Sequence, residues 1–392
     1  MIGDGVEAER RRVGRISRAV KYYAEMNATD RTLESPVGPR MLVNGRQVDY
    51  YCGTSYYSLH GDPRVIDAAC DAIRRYGLGP ATGLSTPPLL EVVERASAFF
   101  GTQSATYLVS GYLADMLLVQ ALSDDYDVVF VDERSHYSVF DGLTSSERIV
   151  VRFRHKDAND LSVKLADNVK AGQIPLVLSD GIFPTTGAIA PLRDYVEALG
   201  PFDDALLCVD DAHAIGVIGE EGKGTFEYLG LRGPNLYFVG TLSKAVGGVG
   251  GIVPGSHGLM EKIKRHSWVP IGASPPSAAA AAAAAMGLRI LSEHPEMRKR
   301  LWSNVARVRG GLRGLGIDVE PSPVPIVSIR STPGVDVKHL QQELYNRDIL
   351  VACYDARGYS DAPDVESVRI AVFSTHTESQ IDRLLESIGG LL

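Results

Sequence analysis

The chain has 392 residues, 45% hydrophobic and 22% charged, an ordinary globular composition on a chain too long for one core, so a large and a smaller domain are expected. A formal net charge of −8 argues against general nucleic-acid binding, and no apolar run approaches the roughly 18 residues that a membrane span needs. The charged start (Glu7, Glu9, Arg10 to Arg12) lacks the apolar core of a secretory signal, and Cys52, Cys70, Cys208 and Cys353 lie far apart without metal or disulfide spacing, so a cytoplasmic protein is expected.

Residues 10–26 place Val13, Ile16, Val20 and Tyr23 at helical spacing and predict an amphipathic helix; a turn-rich arm follows to residue 50. Then short apolar runs alternate with helical patterns. Strands are predicted at Ala105–Val109, Val128–Val131, Arg148–Phe153, Leu176–Ser179, Ala205–Val209, Leu236–Val239 and Gly251–Val253, with helices between most of them, as at Tyr112–Leu122 and Leu192–Leu199. That alternation predicts an α/β fold with a mostly parallel seven-stranded sheet over residues 51–285. The run Ala278–Ala285 reads as a closely packed buried helix. One long polar helix is expected over 286–315, opening a smaller α+β domain (286–392) with strands at Val324–Ile329 and Ser367–Val372 and helices at Val337–Arg347 and from Glu378.

In parallel sheets functional groups collect at the carboxyl ends of strands. Ser110-Gly111-Tyr112 follows the first strand, where a helix N-terminus would suit an anion, although Ser-Gly is also a common cap. Asp210 closes a buried strand, and its charge there demands a partner such as a pyridinium N–H. His213 follows three residues later; a helix cap or a metal site would explain the pair equally well. Lys244 lies between Thr241, Ser243 and a glycine cluster, where its amine, with its pKa lowered by desolvation, can form an imine and the two hydroxyls can hold phosphate. The glycine order of a Walker loop is absent. His136 could stack on a cofactor ring or be structural.

In this order, VDDAHAIGVIGEEGKGT (Val209–Thr225), GTLSKAVGGVGG (Gly240–Gly251), DPRVIDAACDAIRRYG (Asp62–Gly77), the Asp132–His136 segment, SPPSAAAA and SVRIAVFSTHTESQIDRLL resemble the fold-type I pyridoxal 5'-phosphate (PLP) enzymes, and more narrowly the α-oxoamine synthase family. The resemblance runs from about Tyr50 to the C-terminus. It implies Lys244 as the Schiff-base lysine, Asp210 at the pyridine nitrogen, His213 at the phenolic oxygen and His136 stacked on the ring. Ser110, Gly111 and Tyr112 would lie by the cofactor, Thr241 and Ser243 near its phosphate, and Arg369 would hold the carboxylate of an amino acid. It also implies a homodimer, and a carbon–carbon bond formed between an amino acid and an acyl thioester of CoA or a carrier protein.

Four positions depart from the family pattern, all where the family lines its substrate or interfacial pocket: Thr54 for an asparagine, Gly77 to Gly83 for a G-S-G-G-S-R-like loop, Pro184 for a serine, and Ile271-Gly272 for an S-T pair. These changes keep another fold-type I activity (aminotransferase, decarboxylase or C–C lyase, in the biosynthesis of a specialised metabolite) as the alternative. A catalytically dead homologue is disfavoured by retention of Lys244, Asp210 and His213 together.

Overall fold

A computed structural model describes residues 31–79 and 84–392. The helix expected at 10–26 and residues 80–83 of the departing loop lie outside them. Runs such as VVFVD and LLCVD are buried at every position, so neither face of these strands can meet water, and the chain must cover both with helices. The large sheet has seven strands: β1 (Ser104–Leu108), β2 (Val128–Asp132), β3 (Ile149–Phe153), β4 (Pro175–Asp180), β5 (Leu206–Asp210), β6 (Leu236–Thr241) and β7 (Gly251–Gly255). Their order is β1-β7-β6-β5-β4-β2-β3; β7 alone runs against the rest. The parallel strands therefore present their carboxyl ends on one edge, and the register sets Asp180 of β4 directly beside Asp210 of β5.

The Ala-rich helix (Ala278–Glu293) packs on the helices Pro63–Tyr76 and Pro87–Phe100 and runs past the expected domain boundary at 285. Small side chains allow that approach: a Cβ on its Gly287 would stand 1.9 Å from the Val246 carbonyl oxygen, in the loop that carries Lys244. The single long helix expected over 286–315 is instead two, Ala278–Glu293 and Glu296–Gly314. Pro295 is the reason. It has no N–H to continue the first helix, and it drives His294 out of helical geometry, to φ −126 and ψ 63.

The C-terminal part forms a three-stranded antiparallel sheet with Ser367–Ala371 between Ile326–Arg330 and Ala352–Tyr354. A third small sheet joins the two ends of the chain: the hairpin Arg40–Val43 and Arg46–Tyr50 takes Ile349–Leu350 as a parallel neighbour. The residues just after the hairpin, from Tyr51 to Tyr57, are thereby led between the large sheet and the C-terminal part, where Ser374 N–H donates to the Tyr56 carbonyl and Ala371 N–H to that of Tyr51.

Candidate active site

Asp210 ends β5 almost fully buried, accepting the Ala212 N–H on Oδ1 at 2.9 Å and facing the Ser138 hydroxyl at 3.5 Å. Its neighbour Asp180 accepts the His136 N–H at 2.8 Å, which fixes the start of the helix Tyr137–Leu143. Lys244 lies in the turn after β6. Burial lowers the pKa of its ammonium, and the negative charges of Asp210 and Asp180 oppose that shift.

The Ser110–Gly111 turn closes on the same place. A Cβ at Gly111 would meet the Thr241 Cβ at 2.7 Å, so only glycine allows this backbone to approach β6 so closely. The first turn here is a 3-10 turn, Gly111–Leu113, ahead of the helix Ala114–Ala121, and Ser110 caps it by accepting the Tyr112 N–H. Thr241 and Ser243 both direct hydroxyls to the Gly250 carbonyl, at 2.8 and 3.4 Å, while Ser243 N–H donates to Thr241 Oγ1. These bonds fix the turn that carries Lys244.

Two largely buried imidazoles lie within the electrostatic reach of the lysine. Burial lowers the pKa of His136 to about 4, with the nearby Asp210 charge resisting and Lys244 assisting. Its Nε2 pairs with the Tyr359 hydroxyl at 2.8 Å and its Nδ1 with the Ser138 hydroxyl at 2.9 Å. His213 is also buried, its pKa lowered first by desolvation and then by Lys244, Arg369 and His136; its Nδ1 pairs with the Tyr56 hydroxyl at 2.8 Å.

Arg369, in the middle of Ser367–Ala371, is 3% exposed. Its Nε donates to the Pro184 carbonyl at 2.8 Å and its Nη1 to the Gly53 carbonyl at 3.0 Å. No carboxylate pairs with it among the described residues. A buried cation with carbonyl and phenol neighbours but no carboxylate partner keeps capacity for an anion. Two of the departing positions adjoin it: Pro184 supplies a carbonyl, and half-buried Thr54 follows Gly53.

The profile of the aminotransferase class I and II family matches residues 54–388. The chain belongs to this family. Within it, an 8-amino-7-oxononanoate synthase from Thermosipho melanesiensis is 32% identical over 361 residues, 91% of each chain. The corresponding synthase of Thermoanaerobacter pseudethanolicus is 34% identical over 365 residues, 91% of this chain and 90% of its own. A serine palmitoyltransferase from S. paucimobilis, solved with bound PLP, superposes with a TM-score of 0.84 at 27% identity, covering 92% of both chains. The chain is thus a fold-type I, PLP-dependent enzyme of the α-oxoamine synthase branch, an acyltransferase by class. Its residues fit the cofactor: a buried amine under the influence of two carboxylates, a glycine-permitted approach at Gly111, and two largely buried imidazoles nearby.

Sequence reasoning brought together Lys244, Asp210, His213, His136 and Arg369, which the fold places within mutual electrostatic reach. It missed Asp180, Tyr56 and Tyr359. Asp180 carries the same signal as Asp210, a carboxylate closing a buried strand. Tyr56 and Tyr359 carry none, because each reaches its histidine from a loop remote in sequence. Asp361 fixes the Tyr359 loop by accepting the backbone N–H groups of Thr185 and Thr186 at 2.8 and 3.0 Å.

Proposed function

We propose that the protein condenses an amino acid with an acyl thioester of CoA or a carrier protein, releasing the free thiol. The meeting of Lys244 and Asp210, at the carboxyl edge of the large sheet, with Arg369, reaching them from the C-terminal sheet, carries this reading. Bound there, PLP supplies an aldehyde for imine formation and an electron sink for a carbanion at the amino acid Cα. Lys244, pushed toward its neutral form, would hold the cofactor through its amine and, when free, would act as the base that moves the proton at Cα. Asp210 holds the pyridine nitrogen protonated. His213, oriented by Tyr56, donates toward the phenolic oxygen, and His136 lies against the ring. Ser110, Gly111, Tyr112, Thr241 and Ser243 border the cofactor, the last two toward its phosphate. Arg369 takes the amino-acid carboxylate as a fork, and Thr54 borders the same pocket.

The same reading includes a homodimer. The large apolar side chains left exposed at Leu78, Leu84, Trp268 and Ile271 support it, lying in or next to the departing segments 77–83 and 271–272. Four free cysteines accord with a cytoplasmic site.

The test is a screen of amino acids against acyl thioesters with PLP present, reading free thiol. Thiol release that needs both substrates and disappears in Lys244→Ala is expected. Amino-group exchange with a keto acid and no thiol would instead establish an aminotransferase.

A further inference from the structure

Asp115 lies in the first turn of the helix Ala114–Ala121, which packs on the helix Tyr137–Leu143 and on β6 and β7. It is 2% exposed, and its Oδ2 receives no donor from the described residues. The groups that face it are Asp210 and Ser138, within hydrogen-bond reach, with Lys244 and Asp180 beyond them, the buried thiol of Cys208 on β5 and the phenol of Tyr112.

An ionised carboxylate can only accept hydrogen bonds, and here the supply of donors is short. Ser138 has one hydroxyl proton to give, and its oxygen lies 3.5 Å from Asp210 Oδ2 and 2.9 Å from His136 Nδ1. Asp210 has the Ala212 N–H in addition, and Asp180 has the His136 N–H. Asp115 has neither. Two adjoining buried carboxyls do not both ionise, and the proton belongs on the one with the poorer donors. The helix N-terminus and Lys244 favour charge on Asp115, but burial, followed by the adjacent charge of Asp210, pushes its carboxyl well above the ordinary range.

We infer that Asp115 is a neutral, protonated carboxyl that donates its proton to Asp210, and so acts as a positioning residue that keeps Asp210 an anion at the cofactor's pyridine nitrogen. The protonation stands on the chain alone; the consequence for the pyridine nitrogen rests on the cofactor geometry proposed above. With a neutral donor behind it, Asp210 keeps its charge in a desolvated place without gaining a second negative charge beside the Lys244 amine.

The experiment is infrared difference spectroscopy on holoenzyme and on cofactor-free protein, wild type minus Asp115→Asn, near neutral pH. A protonated-carboxyl stretch that shifts in heavy water and is absent from the variant is expected in both forms. Absence of that band from both forms overturns the inference, even for a protein that binds PLP as proposed. A band in the cofactor-free protein supports the proton on Asp115 even if the proposed PLP geometry fails. PLP titration adds a second readout with a second variant. Asp115→Asn keeps a neutral donor and should bind PLP within about threefold of wild type, whereas Asp115→Ala leaves Asp210 without it and should bind about tenfold more weakly or worse. If Asn binds as weakly as Ala, position 115 must be charged and the inference fails.

Discussion

Replacing Arg369 by alanine separates substrate recognition from cofactor binding. The wild-type guanidinium is 3% exposed, is held by the Pro184 and Gly53 carbonyls at 2.8 and 3.0 Å, and faces Tyr56. Truncation frees two carbonyls, at about 1–3 kcal/mol for each that stays buried and unpaired, but it also removes a buried cation that has no carboxylate partner. The two effects oppose each other, so the fold and the bound PLP should survive. An amino-acid carboxylate, in contrast, loses a charge-assisted pair worth about 1.5–3 kcal/mol, or roughly ten- to a hundredfold or somewhat more in affinity. Arg369→Lys should recover little, because an ammonium cannot serve both carbonyls and still present a planar pair of donors. The assay is an amino-acid titration followed by the cofactor absorbance, alongside thermal melting. Unchanged amino-acid affinity in Arg369→Ala would refute the assignment of the carboxylate site, and loss of PLP or of folding would make the arginine structural.

Three further outcomes are expected. Tyr359→Phe removes the hydroxyl on His136 Nε2 and should slow turnover by about two- to tenfold while leaving PLP affinity unchanged; an unaltered rate would show the bond to be incidental. Gly287→Ala drives a Cβ into the Val246 carbonyl and should cost about 1–3 kcal/mol or more by denaturant unfolding, whereas Gly310→Ala, with open space around it, should be neutral or stabilising; equal effects would contradict the packing described. His376 accepts the Phe373 N–H on Nδ1 and pairs through Nε2 with the Tyr50 carbonyl, so it must stay neutral, and burial lowers its pKa from 6.5 to about 4. As pH falls below 6.5 the unfolded chain takes up this proton first, so the contribution is constant above 6.5 and is lost progressively toward 4. The difference in Tm between wild type and His376→Gln should follow that course, and a difference independent of pH would rule out the neutral ring.

Much of the fold was written in local pattern. Apolar runs bounded by turn residues marked all seven strands of the large sheet to within a residue or two; the central strands, buried on both faces, leave no other composition, and the exposed edge strand Ile149–Phe153 keeps its β-branched run. Asp210 stood out because a carboxylate closing a buried strand must have a partner, Lys244 because of its hydroxyl and glycine neighbours, and His136 only through the family resemblance. The long helix expected over 286–315 is broken at Pro295, whose missing N–H overrides the helical texture on either side of it.

The sequence by itself determined which chemical groups stand at the sheet edge, since strand, turn and side chain there are consecutive in the chain. Only the tertiary structure decided what those groups meet. His136 is paired with Tyr359, His213 with Tyr56, and Arg369 with the Pro184 and Gly53 carbonyls, each across more than 150 residues of chain. Donor supply, desolvation and the placement of protons on Asp115, Asp210 and Asp180 depend on those meetings. They are properties of packed space, and no periodicity along the chain encodes them.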